Sequence, residues 1–201
     1  VADGWLQSLV AWLGSTPQTA SVQPLLLLAT DSNLINTAGN CNHFLGFGHV
    51  TGYGDPDPGN LRPRSVHHAS GAALLVRVSR IKQLGLFAES LFMYLEDVEL
   101  SWKFRQMGYD NVVVPERKVR HKYVPGQAMG FYYYLERNRW WLLLVYYKVP
   151  TLILLLPAAV AMELIQLIYA AGQGQFSQKL KAYAFFFDKA NLDKIHGQRR
   201  M

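Results

Sequence analysis

Residues 92–115 read FMYLEDVELSWKFRQMGYDNVVVP, and the fold is decided here. Leu95, Val98 and Trp102 make one apolar stripe at helical spacing, and Leu100, Phe104 and Met107 make a second beside it. The spacing predicts a packed helix from about Asp97 to Met107. Gly108 would end it as a left-handed C-cap. NVVVP then reads as a short buried strand, because three valines bounded by Asn111 and Pro115 fit a strand in length and β-branching. The acidic pair Glu96 and Asp97 therefore stands at a loop-to-helix junction. Unpaired N–H groups at a helix N-terminus favour a nearby carboxylate, so capping explains one of the two but does not require both.

Outward from this element, the chain has 201 residues, half of them hydrophobic, enough for a real core. The first part alternates short apolar runs with Gly, Pro, Asn and Asp, as an α/β domain does, whereas Phe131 to Ala171 is mostly apolar and aromatic. The boundary falls near Pro125-Gly126, giving segments 1–125 and 126–201. A net charge of +6 suits an anionic partner, either a phosphorylated substrate or an acidic lipid surface. Nucleic acid is not expected, since basic residues are not interleaved with aromatics on one face and no nucleic-acid motif occurs. The single cysteine, Cys41, rules out an internal disulfide and makes a reducing compartment the default.

DGWLQSLVAWLG predicts an opening helix with Leu6, Leu9, Val10 and Leu13 inward, Asp3 as cap and Gly14 as stop. VQPLLLLA predicts a strand, and Thr30 to Arg64 a long, loop-rich segment that is functional or mobile. SGAALLVRV reads as a buried strand beginning at Gly71, and SRIKQLG as a short helix capped by Ser79 and Gly85. This order fills only half of a normal sheet, so the other half is expected before Val1.

SGAALLVRVSRIKQLGLF followed by FMYLEDVELSWKFRQMGYDNVVVPERKVRH resembles the C-terminal half of the catalytic domain of family 2 inverting glycosyltransferases of GT-A fold, especially the rhamnosyltransferase-like branch. The resemblance covers roughly Ala2 to Tyr147 and is strongest over Ser70 to His121. It implies transfer of a sugar from a nucleoside-diphosphate donor to an acceptor hydroxyl, on a glycan or a lipid-linked saccharide, with inversion. Asp97 would be the general base, and Glu96 would orient Asp97 or contact the acceptor. Two close carboxylates raise the proton affinity of one of them. Gly71 opens the acceptor-side strand of the pattern. Relatives commonly read Phe-Asp-Glu ahead of the acidic pair, and here LFAES puts Ala88 in place of that Asp.

The same resemblance implies a divalent metal, Mg or Mn, with His121 as one ligand and most others upstream. Read without it, His121 between Arg120 and Lys122 is a solvated surface residue. Asp55 and Asp57 in GDPDPG mimic an Asp-x-Asp metal motif, but they sit between prolines in a turn-rich segment and read as a solvated turn.

YYYLERNRWW echoes the Gln-x-x-Arg-Trp motif of processive members of the family, through Glu136, Arg139 and Trp140. Trp140 would stack on an acceptor sugar or lipid-linked group, with Arg139 near the diphosphate. The same residues also suit a membrane-interface belt. Val149 to Ala171 is long enough to cross a bilayer, yet it holds Pro157, Glu163 and Gln166. Arg137, Arg139 and Lys148 precede it, and Lys179, Lys181, Lys189, Arg199 and Arg200 follow it. Basic residues on both flanks favour two cytoplasmic ends and an in-plane or re-entrant helix. The tail from Phe176 mixes Phe and Tyr with Lys as an interfacial helix does. The soluble alternative is a core helix or an oligomer interface. Two functions stay open: a membrane-associated glycosyltransferase at the cytoplasmic face, building polysaccharide or cell wall, and a non-catalytic membrane-bound scaffold that keeps part of the fold.

Overall fold

The computed structural model describes residues 3–124 and 126–199, and the chain divides into two compact units. The first holds the residues through His43, Gly48–Phe92 and Glu96–Val124; the second holds Phe44–Phe47, Met93–Leu95 and the residues after Val124. Pro125, at the sequence boundary, and Arg200, among the flanking basic residues, lie outside the described residues.

The first unit is a mixed sheet with helices on its faces. Helix α1 (Trp5–Ser15) leads into β1 (Thr19–Leu28), whose residues are nearly all buried. Such a run needs cover on both sides, and β1 has it. Val22 packs with Leu9 and Leu13 of α1, while Ala20, left unpaired at an irregularity of the ladder between Thr19 and Ser21, packs in a separate cluster with Ile81, Leu100 and Phe104. β2 (Ile35–Thr37) and β6 (Leu75–Val76) pair antiparallel with β1, and β7 (Asp110–His121) runs parallel to it. β5 (Arg64–Val66) closes the sheet antiparallel to β7, and β3 (Asn40–Asn42) and β4 (Gly48–Val50) form a separate hairpin. Helix α2 (Val78–Gln83) and helix α3 (Glu96–Gln106) complete the unit.

Several expectations need correcting. The strand does not stop at Pro115. Its pairing jumps from Pro24↔Val114 to Leu25↔Lys118, so residues 115–117 bulge out and the strand resumes to His121. Two prolines that cannot donate to the ladder meet at this point, and the bulge absorbs them. SGAALLVRV gives only the short β6, because Ser70 to Ala73 spend their N–H groups on side chains and on a local turn. Helix α1 is capped by Gly4 at φ 71° rather than by Asp3, and Leu6 and Val10 face outward. Ser79 lies inside α2, whose N-cap is Arg77. Met107 is exposed beyond the end of α3, and Gly108 takes φ 80° as expected of a C-cap. The Thr30 to Arg64 segment carries the short strands β2, β3 and β4, and Ala38 and Thr51, Ile35 and Asp55, and Asn33 and Asp57 are joined through their backbones.

The second unit is helical, with α4 (Tyr132–Tyr146), α5 (Val149–Gly172), α6 (Phe176–Ala184) and α7 (Lys189–Arg199). Arg199 of α7 donates to the carbonyls of Leu144 (2.9 Å) and Tyr147 (2.6 Å), satisfying the C-terminal end of α4. Helix α5 runs unbroken through Pro157, and only Ala159 and Ala170 in it are fully buried.

Candidate active site

The site is built from β1, the Ala69–Gly71 loop and the start of α3. Three successive N–H groups of the loop are pinned to side chains. Ala69 donates to Ser101 Oγ (3.3 Å), Ser70 to Gln23 Oε1 (2.6 Å) and Gly71 to Asp97 Oδ2 (2.8 Å). Gln23 is a fully buried polar residue inside the apolar run of β1. Asn111 at the start of β7 ties the same region together, accepting from Ser21 Oγ and donating to the carbonyls of Ser101 and His67. Sequence reading missed Gln23, Ser101 and Asn111. A lone Gln in a hydrophobic run was the available signal.

Asp97 is half-buried beside exposed Gly71. Its second oxygen, Oδ1, accepts the Val98 N–H at 2.8 Å, so each oxygen holds one backbone donor and keeps a lone pair. A Cβ at position 71 would stand 3.5 Å from the Asp97 carboxylate, so a long side chain there would cover it. Gly71 and Asp97 are thus brought together as one feature.

Glu96 faces elsewhere. It lines a hollow of about 420 Å³ with Phe87, Ala88, Glu89 and Phe92. Its Oε2 is shielded from solvent without a hydrogen-bond partner among the described residues. Burial raises the proton affinity of Glu96 above the ordinary carboxylate range, and the charge of Asp97 adds to the rise against the opposing pull of its own backbone N–H. His68, buried near this region, has its imidazole pushed down by burial, with Asp97 opposing.

Glu96 holds its proton more tightly in the folded chain than in the unfolded one. Its favourable contribution is complete below the unfolded carboxylate range and disappears as pH climbs through the folded value. Glu96→Gln should therefore raise the thermal midpoint at pH 7 and flatten the stability profile above pH 4.5. Thermal unfolding of both proteins across that range checks it. A less stable Gln variant at pH 7 would show instead that the charged form is paired in the folded protein.

The backbone around this hollow is strained. Among the described residues, the non-glycine positions with left-handed φ are Leu86 (66°), Phe92 (60°), Tyr94 (62°) and Leu95 (65°). Each costs about 1–3 kcal/mol, and such strain concentrates at functional sites. Phe92, at ψ −61°, has the geometry of the rare γ-turn and is 70% exposed.

His121 ends β7, with Nδ1 2.9 Å from Asn36 Oδ1. Asp57 is committed to Lys118 and to the Gly59 N–H (2.9 Å), which outweigh burial and hold its carboxyl below the usual range. GDPDPG is therefore a turn anchored through Asp57.

In the second unit, Arg139 is buried. Its guanidinium bonds Glu136 (2.9 Å) and Glu163, and Lys179, fully buried, bonds Glu136 and Glu163 (2.7 Å). The Arg139 guanidinium also stacks over Phe47 at 4.5 Å and Trp140 at 5.2 Å. Trp140 is half-buried, and its Nε1 has no partner among the described residues. Arg139 is thus occupied by two carboxylates.

No family model matches the chain. The N-acetylglucosaminyl-diphospho-decaprenol L-rhamnosyltransferase of Mycobacterium tuberculosis, from each of two strains, is 45% identical over 58 residues. The match covers 29% of this chain and 19% of that relative, so the chain spans about a fifth of the length of the curated relatives it matches. The crystal structure of GalNAc-T7 with UDP, GalNAc and Mn2+ superposes with a TM-score of 0.54 at 18% identity, over 74% of this chain and 30% of that one. The fold is similar to that of a GT-A glycosyltransferase.

The GT-A likeness carries a metal question, since the neighbour was solved with Mn2+. Among the described residues no three His, Cys, Asp or Glu side chains converge to hold a cation. His121 supplies one imidazole and Asp57 is consumed by Lys118, so these residues do not build a metal centre by themselves.

Proposed function

We propose that this chain is the acceptor-side part of a membrane-associated family 2 glycosyltransferase of the rhamnosyltransferase-like branch. Segment 1–125 would be the GT-A part and 126–201 the membrane-associated part. The observation that carries the reading is Asp97, held by N–H groups on both oxygens, half-open beside Gly71, at the head of α3. The 58-residue likeness to a rhamnosyltransferase that acts on a diphospho-decaprenol compound supports it.

In the proposed reaction the acceptor hydroxyl oxygen bonds to the anomeric carbon of the donor sugar while its proton passes to Asp97. The bond from that carbon to the diphosphate breaks, and the nucleoside diphosphate leaves with the electron pair. A single displacement inverts the anomeric centre. Glu96 and the hollow of Phe87 and Phe92 would receive the acceptor, a glycan or lipid-linked saccharide, on apolar walls with two carboxyls, those of Glu96 and Glu89. Trp140, with the Arg139 guanidinium 5.2 Å from its ring, would stack on an acceptor sugar or lipid-linked group. A divalent Mg or Mn ion would neutralise the leaving diphosphate, with His121 as one ligand and the rest from outside this chain. Loss of transfer in Asp97→Asn is the deciding experiment.

Helix α5 supports the membrane part. Its 24 residues extend ~36 Å, against a hydrocarbon core of ~30 Å. An 18-residue stretch of it has a mean hydropathy of 2.1, the helix is long and apolar enough to cross a membrane, and almost none of that stretch is buried. Its polarity is inverted. Glu163 turns inward to Lys179 and Arg139, and Gln166 accepts from Tyr132 (3.2 Å), whereas Ile153, Leu154 and Ile168 are 66%, 78% and 75% exposed. Polar groups inside and aliphatic groups outside are what a hydrocarbon surrounding selects. Basic residues on both flanks support two ends at the cytoplasmic face, with the unbroken helix lying in the plane of the membrane in this reading. The protein should float with phosphatidylcholine vesicles containing anionic lipid, and Leu154→Asp with Ile168→Asp should abolish flotation. A vesicle-free dimer that the double variant dissolves would assign the face to a second copy instead.

A further inference from the structure

We infer that Asn138 is a positioning residue that holds the strained turn from which the acidic pair emerges. The inference rests on the glycosyltransferase reading only for its consequence in catalysis. Asn138 is fully buried in α4. Its Nδ2 donates to the carbonyls of Met93 (2.8 Å) and Tyr94 (2.7 Å), and its Oδ1 accepts from Arg137 Nε (2.8 Å). Every polar atom of the amide is in use.

The chemistry of the match is specific. Two successive carbonyls of a left-handed turn need two donors in one plane, and a primary amide supplies both without bringing in a charge. Tyr94 and Leu95 hold φ of 62° and 65°, conformations these side chains do not keep unless something over-determines them. Leu95 is joined directly to Glu96, the first residue of α3. Return of either φ to the right-handed region would redirect the chain where it enters the helix, and with it Glu96 and Asp97. Asn138 is therefore the restraint that keeps the carboxylates aimed.

The test compares Asn138→Asp, Tyr94→Gly and the double variant in the full-length protein, with Asp97→Asn alongside. The Asn138→Asp change keeps the shape and the bond to Arg137 but sets an oxygen against the two carbonyls. Amide hydrogen exchange over residues 94–98 should speed up at least tenfold in Asn138→Asp, while exchange in β1 and β7 stays unchanged. Transfer of radiolabelled sugar to extracted lipid should lose at least tenfold in kcat with the donor KM within twofold. Tyr94→Gly takes a left-handed φ without strain, so it should restore most of both losses in the double variant. Were Asn138→Asp to accumulate poorly, recovery of folded protein by Tyr94→Gly would read out the same restraint. Unchanged exchange at 94–98, acceleration spread evenly over α4 to α7, or no rescue by glycine would overturn the inference. If Asp97→Asn stays active, the catalytic reading fails by itself, and the exchange measurement still decides Asn138.

Discussion

Asp97→Asn should lower sugar transfer by about 10²–10⁴-fold, the usual contribution of a positioned general base. Asn is the same size and stands at the same helix start, so folding is expected to survive. The amide can still accept the Val98 N–H through its oxygen, but its NH2 group meets the Gly71 N–H, where an acceptor stood at 2.8 Å. Neither amide atom can take the hydroxyl proton. The loss should therefore fall on kcat, with donor binding kept within a few-fold, because Asp97 acts on the acceptor side. Steady-state kinetics on the full-length protein, with thermal unfolding as the control for folding, make the measurement. Activity within threefold of wild type would remove Asp97 from the mechanism, whereas absence of transfer in the wild-type protein would favour the scaffold reading.

What could be read in the sequence follows a physical divide. Helix α3 and its Gly108 stop were legible because they are local: the apolar spacing, the cap and the turn lie within a few residues of one another. Gly71 and Asp97 were each identified, but their hydrogen bond joins residues 26 apart, and no local pattern encodes it. Gln23 and Asn138 were missed for a related reason. Each is a single polar residue whose role exists only once a loop or turn arrives with unsatisfied backbone groups. The expected strand at Gly71 failed because side chains outcompeted a neighbouring strand for its N–H groups. Lys179, in FSQKLKAY, reads as a solvated lysine of an interfacial helix, yet it is fully buried. Burial of an ammonium is decided by carboxylates brought from two other helices, which periodicity cannot show.

Lys179→Met should destabilise the protein by about 3–5 kcal/mol, as removal of one partner from a buried ion pair does. Glu136, Arg139, Glu163 and Lys179 form a balanced set, two carboxylates against two cations, with side chains 5%, 3%, 15% and 0% exposed. Deleting the ammonium leaves two carboxylates facing one guanidinium, and Glu136 keeps only Arg139 among its ion-pair partners. The volume of Met nearly matches, so the effect is electrostatic rather than a cavity. The Lys118–Asp57 pair, whose lysine is 40% exposed, is open to solvent at one end and should contribute less, which makes the contrast. Because the set joins α4, α5 and α6, its loss should loosen α5 first, and hydrogen exchange there should rise before that of β1. Replacing all four by apolar residues of similar volume should recover much of the loss, since the cost lies in the uncompensated charge. Chemical unfolding of the single and quadruple variants decides between the two origins: a loss under about 1 kcal/mol for Lys179→Met would mean that water reaches Glu136 and Glu163 and the set is solvated rather than buried.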